Sequence, residues 1–222
     1  MNRQETLLRL IVIIISMDKS YELKKLEEEI TVDNNLPLRE ANLVFGEGSP
    51  ESEIVFIGEA PGKNEDEQRR PFVGRAGQLL RSCIRGIGWK EEDVYITNIV
   101  KRRPPENRDP LPNEIDAYKP YLTRQLGIIK PKIIVALGRF SMNYFLPEAK
   151  ISRDHGKIFR FDGFLLYPIY HPAAALRSTQ MKEEFEKNFK DLPRIIGKAD
   201  ILLAERKPEK ENDGKPMQEK LF

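Results

Sequence analysis

Apolar residues in this chain fall in short β-branched or aromatic bursts, separated by longer stretches with helical periodicity. That alternation predicts a parallel sheet covered on both faces by helices. The bursts are Glu53–Gly58, Val94–Ile99, Ile133–Leu137 and Phe164–Tyr170, the last paired with Ile158–Phe161 in a hairpin turned at Asp162-Gly163. Helices are predicted over Asp18–Glu29, where Tyr21, Leu23, Leu26 and the adjoining Ile30 form an apolar stripe, and over Arg75–Ile87, stopped by Gly88. Another begins after the proline-rich loop Pro104–Pro112, with Asn113 as its expected N-cap, and a shorter one spans Phe140–Phe145 after a turn at Gly138. The expected fold is α/β, a three-layer αβα sandwich around a central, mainly parallel four-stranded sheet. Such sheets bind ligands beyond the carboxyl ends of their strands. Gly58, Asn98 and His171 each stand at such an end.

The 222 residues suffice for one domain with a sizeable core. Residues 18–200 are read as that domain, 1–17 as an N-terminal extension or the product of an upstream start, and 201–222 as a flexible tail. The apolar run Leu10–Ile15 falls far short of the roughly 20 residues needed to cross a bilayer, and no small-residue cleavage site follows it. A weak signal peptide is the alternative. The single cysteine, Cys83, forms no intramolecular disulfide, in keeping with a reducing cytoplasmic interior, and its apolar-periodic context makes it a helix position rather than a nucleophile.

Charge adds only local information. Lys and Arg number 37 against 35 Asp and Glu, a net charge of +2, so any affinity for nucleic acid must come from clusters. Arg69-Arg70 and Lys101-Arg102-Arg103 are such clusters, although a short basic run is commonly just a solvated turn.

Two segments carry the chemistry. GEAPGKNEDEQRRPFVG at Gly58–Gly74 sets glycines, Pro61 and the carboxylates of Glu59, Glu65, Asp66 and Glu67 where backbone approaches a ligand. HPAAALRS at His171–Ser178 offers an imidazole, a proline turn, an apolar tip at Leu176 and a cation at Arg177. GEAPGK is not a triphosphate loop, because the GxxxxGK[ST] spacing is missing and Asn64 follows Lys63. Together with TNIVKRRPPENRDP at Thr97–Pro110, these segments resemble the family 4 uracil-DNA glycosylases, over most of Val44–Ile195.

The resemblance implies a monofunctional hydrolase of N-glycosyl bonds that flips uracil out of DNA, leaving an abasic site. Phe72 becomes the stacking platform, with core packing as its ordinary alternative. Asn98 becomes the amide that reads the base, and His171 the donor to the uracil carbonyl as the base departs. Ala60 stands where the best-known branch of the superfamily has an aspartate, so water handling passes to Glu59 with Asn107 as polar partner; Glu59 has an equal claim to a structural role in its own turn. Glu65 and Asp66 close the pocket wall, and Glu65 is the candidate that excludes thymine, since Gly62 replaces the tyrosine used in that branch. Leu176 is the expected wedge, with Arg177, Lys101 and Arg103 contacting phosphates. His155 is read as a turn residue.

The family usually holds an iron–sulfur cluster on four cysteines, whose positions here are Thr31, Asn34, Arg102 and Tyr118. The cluster is therefore expected to be absent, with no metal or other cofactor in its place, and Arg102 and Tyr118 are expected to tie the proline loop to the following helix. The partners expected are uracil-containing DNA, double- or single-stranded, and a sliding clamp docked through Gln218, Leu221 and Phe222 of the tail, for a cytoplasmic, nucleoid-associated monomer without membrane contact. The rival reading is a DNA-binding or clamp-associated member of the same fold that has lost catalysis. A covalent-trapping relative is disfavoured, because no histidine-bearing basic insertion precedes the second motif.

Overall fold

In the computed structural model, residues 3–204 are described, with side chains from residue 18 onward. The clamp-peptide candidates Gln218, Leu221 and Phe222 lie outside the described residues. The sheet has the order β1-β3-β2-β4-β6-β5. Its centre is four parallel strands, β2 (Ile54–Gly58), β3 (Tyr95–Asn98), β4 (Ile133–Leu137) and β6 (Leu165–Ile169), each buried along its whole length. These are the four expected bursts. At the edges, β5 (Phe159–Arg160) pairs antiparallel with β6 as the expected hairpin, and β1 (Glu47–Gly48), which was not expected, pairs antiparallel with β3, making six strands rather than four. A two-residue strand such as β1 is too short to leave a periodic signal.

Alternation along each strand builds the two outer layers. On β2, Val55 and Ile57 face a core completed by α1 (Arg3–Val32), α4 (Pro112–Ile129) and α5 (Gly138–Phe145). Ile54 and Phe56 face the other core, closed by α3 (Arg75–Gly86), α8 (Thr179–Ile196) and α9 (Ala199–Ala204). Each fully buried aliphatic or aromatic side chain here contributes about 1.5–3 kcal/mol. The apolar run typical of parallel strands thus serves two cores at once.

The stripe expected over Asp18–Glu29 belongs to the single helix α1, whose Leu23, Leu26 and Ile30 are buried against α4. Helix α4 begins one residue before the expected cap, with Pro112 in its first turn. Pro is favoured there because its φ is preset and its missing N–H would have no partner. Glu114 reaches back to accept the Leu111 amide at 2.8 Å, completing the start without Asn113. No helix among the described residues is long and apolar enough to cross a membrane.

Candidate active site

The turns that follow β2, β3, β4 and β6 converge on one cavity of about 540 Å³, lined among others by Glu59, Ala60, Glu65, Phe72, Asn98, Asn107, Asp109, Arg139, His171 and Arg177. Of the expected base-binding residues, all but Asp66 line it. Asp66 sits on α2 (Lys63–Gln68) and its carboxylate accepts the Asn42 amide at 2.7 Å, because the helix turns that face toward the chain preceding β1. Its expected place in the pocket wall is therefore corrected to a tether of α2.

Asn98 ends β3 and is 2% exposed, and its Oδ1 has no hydrogen-bond partner among the described residues. A buried acceptor left in that state costs about 1–3 kcal/mol, a cost that a donating ligand removes. Gly58, paired with Asn98 in the sheet, leaves the room: a Cβ there would fall 2.4 Å from Asn98 Oδ1 and 2.5 Å from Phe72 Cζ. Phe72 has φ +54°, an unusual conformation for an aromatic residue, and its ring lies 5.9 Å from that of His171.

His171 begins the short helix α7 (Pro172–Ala175), and its Nδ1 accepts the Ala173 amide at 3.2 Å. With Nδ1 so occupied, the neutral ring carries its proton on Nε2 and donates from there. Burial, with the Arg177 charge second, lowers its pKa to about 4, so the ring is neutral throughout the physiological range. The other histidine, His155, caps α6 (Ile151–Asp154) and packs on Tyr170 at 4.3 Å.

Glu59 follows β2. Burial first, and then the negative charge of Asp109, push its pKa up to about 7, against the opposing effect of Arg139. Among the described residues no backbone amide of its own turn donates to it. Asp109 and Arg139 form an ion pair at 2.5 Å at the cavity rim. Neither was found by sequence reasoning. Asp109 lies inside the motif loop, but only the fold brings Arg139 of α5 against it.

Glu65 lines the cavity while its Oε1 accepts the amides of Val73 at 2.9 Å and Gly74 at 2.7 Å, so it holds the Phe72 loop from one side. Asn107 accepts from Arg103 Nε at 2.7 Å. Leu176, 42% exposed, projects at the end of α7, with Arg177 exposed beside it. Lys101 is the second correction. It is 0% exposed, with Nζ donating to Thr97 Oγ1 and Gln125 Oε1 at 2.6 Å each, so it reaches no phosphate. The chain after β3 turns this side chain into the core under α4, and burial lowers its pKa well below the ordinary lysine value.

Thr31, Asn34, Arg102 and Tyr118, the four positions expected of cluster ligands, do not fit a cluster. Four thiolates are needed, and the one cysteine, Cys83, is half-buried on α3 with its thiol pushed up to about 11 by burial. Tyr118 donates to Pro37 O at 2.8 Å, and Arg102 Nη1 to Ala41 O at 3.0 Å, with the guanidinium also against the Tyr118 hydroxyl. The expected tie between the proline loop and α4 is present, and it extends to the segment linking α1 to β1.

Comparison with known proteins places this geometry. The family model of the uracil DNA glycosylase superfamily matches residues 45–193. The chain belongs to that superfamily. It is 45% identical over 171 residues to the type-4 uracil-DNA glycosylase of Archaeoglobus fulgidus, covering 73% of this chain and 86% of the relative. It is 44% identical over 182 residues to that of Sulfurisphaera tokodaii, covering 77% and 83%. It is 45% identical over 172 residues to that of Saccharolobus solfataricus, covering 73% and 80%. The matched span of this superfamily member runs from just before β1 into α8 and so takes in the whole cavity.

Proposed function

We propose that this protein excises uracil from DNA by hydrolysing the N-glycosidic bond, as a type-4 enzyme working without an iron–sulfur cluster. The observation that carries the reading is the unpartnered Asn98 Oδ1 in a cavity shared with Phe72 and His171. Uracil presents a ring N–H beside a carbonyl, so one amide accepts the first and donates to the second. Cytosine, with an acceptor nitrogen beside an amino group, meets the same amide with like facing like.

Leu176 fills the gap left by the flipped nucleotide, Arg177 and Arg103 engage phosphates, and the base stacks on Phe72 beside Ala60. As the bond from C1′ to N1 breaks, its electron pair stays with uracil, and His171 Nε2–H donates to the carbonyl where negative charge accumulates. A preorganised donor of this kind is typically worth about 3 kcal/mol. Water adds to C1′ and its proton passes to Glu59, whose pKa of about 7 suits it to accept one near neutrality. Asn107 orients that water. Glu65 acts mainly on the loop and narrows the pocket against the thymine methyl. The partners are uracil-containing DNA, single- or double-stranded, and a sliding clamp engaged through Gln218, Leu221 and Phe222, in a cytoplasmic monomer close to the nucleoid. Loss of clamp binding on deleting those residues checks the last point.

The test is release of free uracil from a duplex with one U·G mismatch, by the protein and its His171→Ala variant, with an ultraviolet–visible spectrum of the same preparation. Release that collapses in the variant, from a colourless protein, supports the reading. Absence of release by folded protein on single and double strands overturns it in favour of a non-catalytic DNA-binding protein, and a brown preparation overturns the cluster-free part.

A further inference from the structure

Resting on the uracil-excision reading, we propose that Arg81, on α3 and outside the cavity lining, is a positioning residue that sets the Phe72 platform. Its Nε donates to Phe72 O at 2.9 Å and its Nη2 to Pro71 O at 2.8 Å. The guanidinium is itself held from two sides, by Glu47 of β1 and by Glu91 at 2.6 Å, and its side chain is only 11% exposed. One arginine therefore ties the sheet edge and the turn after α3 to two successive carbonyls of the loop.

The loop needs this support. Phe72 has φ +54°, a left-handed conformation in which the Cβ of an aromatic residue crowds its own backbone, so the segment relaxes to an extended form unless its polar groups are fixed. Arg81 fixes the carbonyls of residues 71 and 72, and Glu65 fixes the amides of 73 and 74. Gly77 lets α3 come into direct contact, since a Cβ there would fall 1.9 Å from Phe72 O. The ring is left with one orientation, packed at Gly58 and facing the cavity. A lysine in place of Arg81 supplies a single ammonium that cannot span both carbonyls and both carboxylates.

Because the base meets Phe72 only after flipping, losing the clamp slows excision and weakens capture of free uracil while sparing affinity for the duplex. Arg81→Met keeps the apolar stem and removes every donor. Its single-turnover uracil release is expected to fall about 10- to 100-fold, the scale set by ångström misplacement of reacting partners. The inhibition constant for free uracil should rise, affinity for a uracil-free duplex should hold, and Arg81→Lys should fall between. All are measured well below the thermal midpoint of each variant. In a Phe72→Leu background the Arg81→Lys change should have little further effect, a non-additivity that a general loss of stability does not produce. That cycle decides the matter even if Arg81→Met does not fold. Rates and uracil inhibition equal to the parent's, or full additivity with Phe72→Leu, overturn the inference. A parent protein that releases no uracil instead overturns the functional reading on which it rests.

Discussion

Glu59 and Asp109 face one cavity from the turns after neighbouring strands β2 and β3, and burial first, then the charge on Asp109, make the Glu59 carboxyl harder to ionise. This sets the pH dependence of the proposed reaction. Glu59 acts as a base only when ionised, so single-turnover excision should rise with pH through about 7 and then level. Asp109→Asn removes a raising influence and should move the acid limb lower; Arg139→Met removes a lowering one and should move it higher. Glu59→Gln should abolish the limb and cost at least about 100-fold in rate.

The same carboxyl makes a stability prediction. Its folded pKa exceeds the unfolded value, so between 4.5 and about 7 the folded state binds more protons and stability from this group falls as pH rises. Glu59→Gln should therefore stabilise the fold at pH 8 more than at pH 5, by on the order of 1 kcal/mol after solvent screening. Thermal melts at the two pH values measure it.

Asn98→Leu removes a buried acceptor that lacks a partner. It should raise stability by about 1 kcal/mol while abolishing discrimination of uracil from cytosine and cutting excision by two or more orders of magnitude. Denaturant unfolding and paired U- and C-containing substrates test the two halves.

His171 should add no ionisation of its own near neutrality, because its pKa lies at about 4. Nitrogen NMR of the ring should show the neutral form protonated at Nε2 from pH 6 to 9. A ring protonated at Nδ1, or charged at pH 6, contradicts the role assigned to it.

Of the three cationic candidates, Arg177 and Arg103 should report on DNA and Lys101 should not. Arg177→Ala should reduce the slope of log affinity against log salt by about one, and Lys101→Met should leave it unchanged, since the Lys101 amine lies in the core. Leu176→Ala should slow excision from duplex more than from a single strand, where there is no stack to fill.

The four parallel strands, the helices that flank them and most of the cavity residues were legible because each rests on a local signal: an apolar run, a 3.6-residue stripe, a glycine or proline where backbone turns. Phe72, Asn98 and His171 stood at strand ends or in motif loops, and strand ends point to one side of a parallel sheet. Lys101 and Asp66 misled because a charge in a loop looks the same whether its side chain points to water or to the core. Only the packing of the turn after β3 against α4, and of α2 against Asn42, decided their directions. Arg81, Asp109 and Arg139 escaped notice for the converse reason, since each acts through a partner distant in sequence or on a different element. By itself the sequence determined the layers, the family resemblance and the kit of polar groups. The tertiary structure decided which of those groups meet, which are buried, and hence what pKa each has, because burial and through-space charge depend on distances that chain order does not contain.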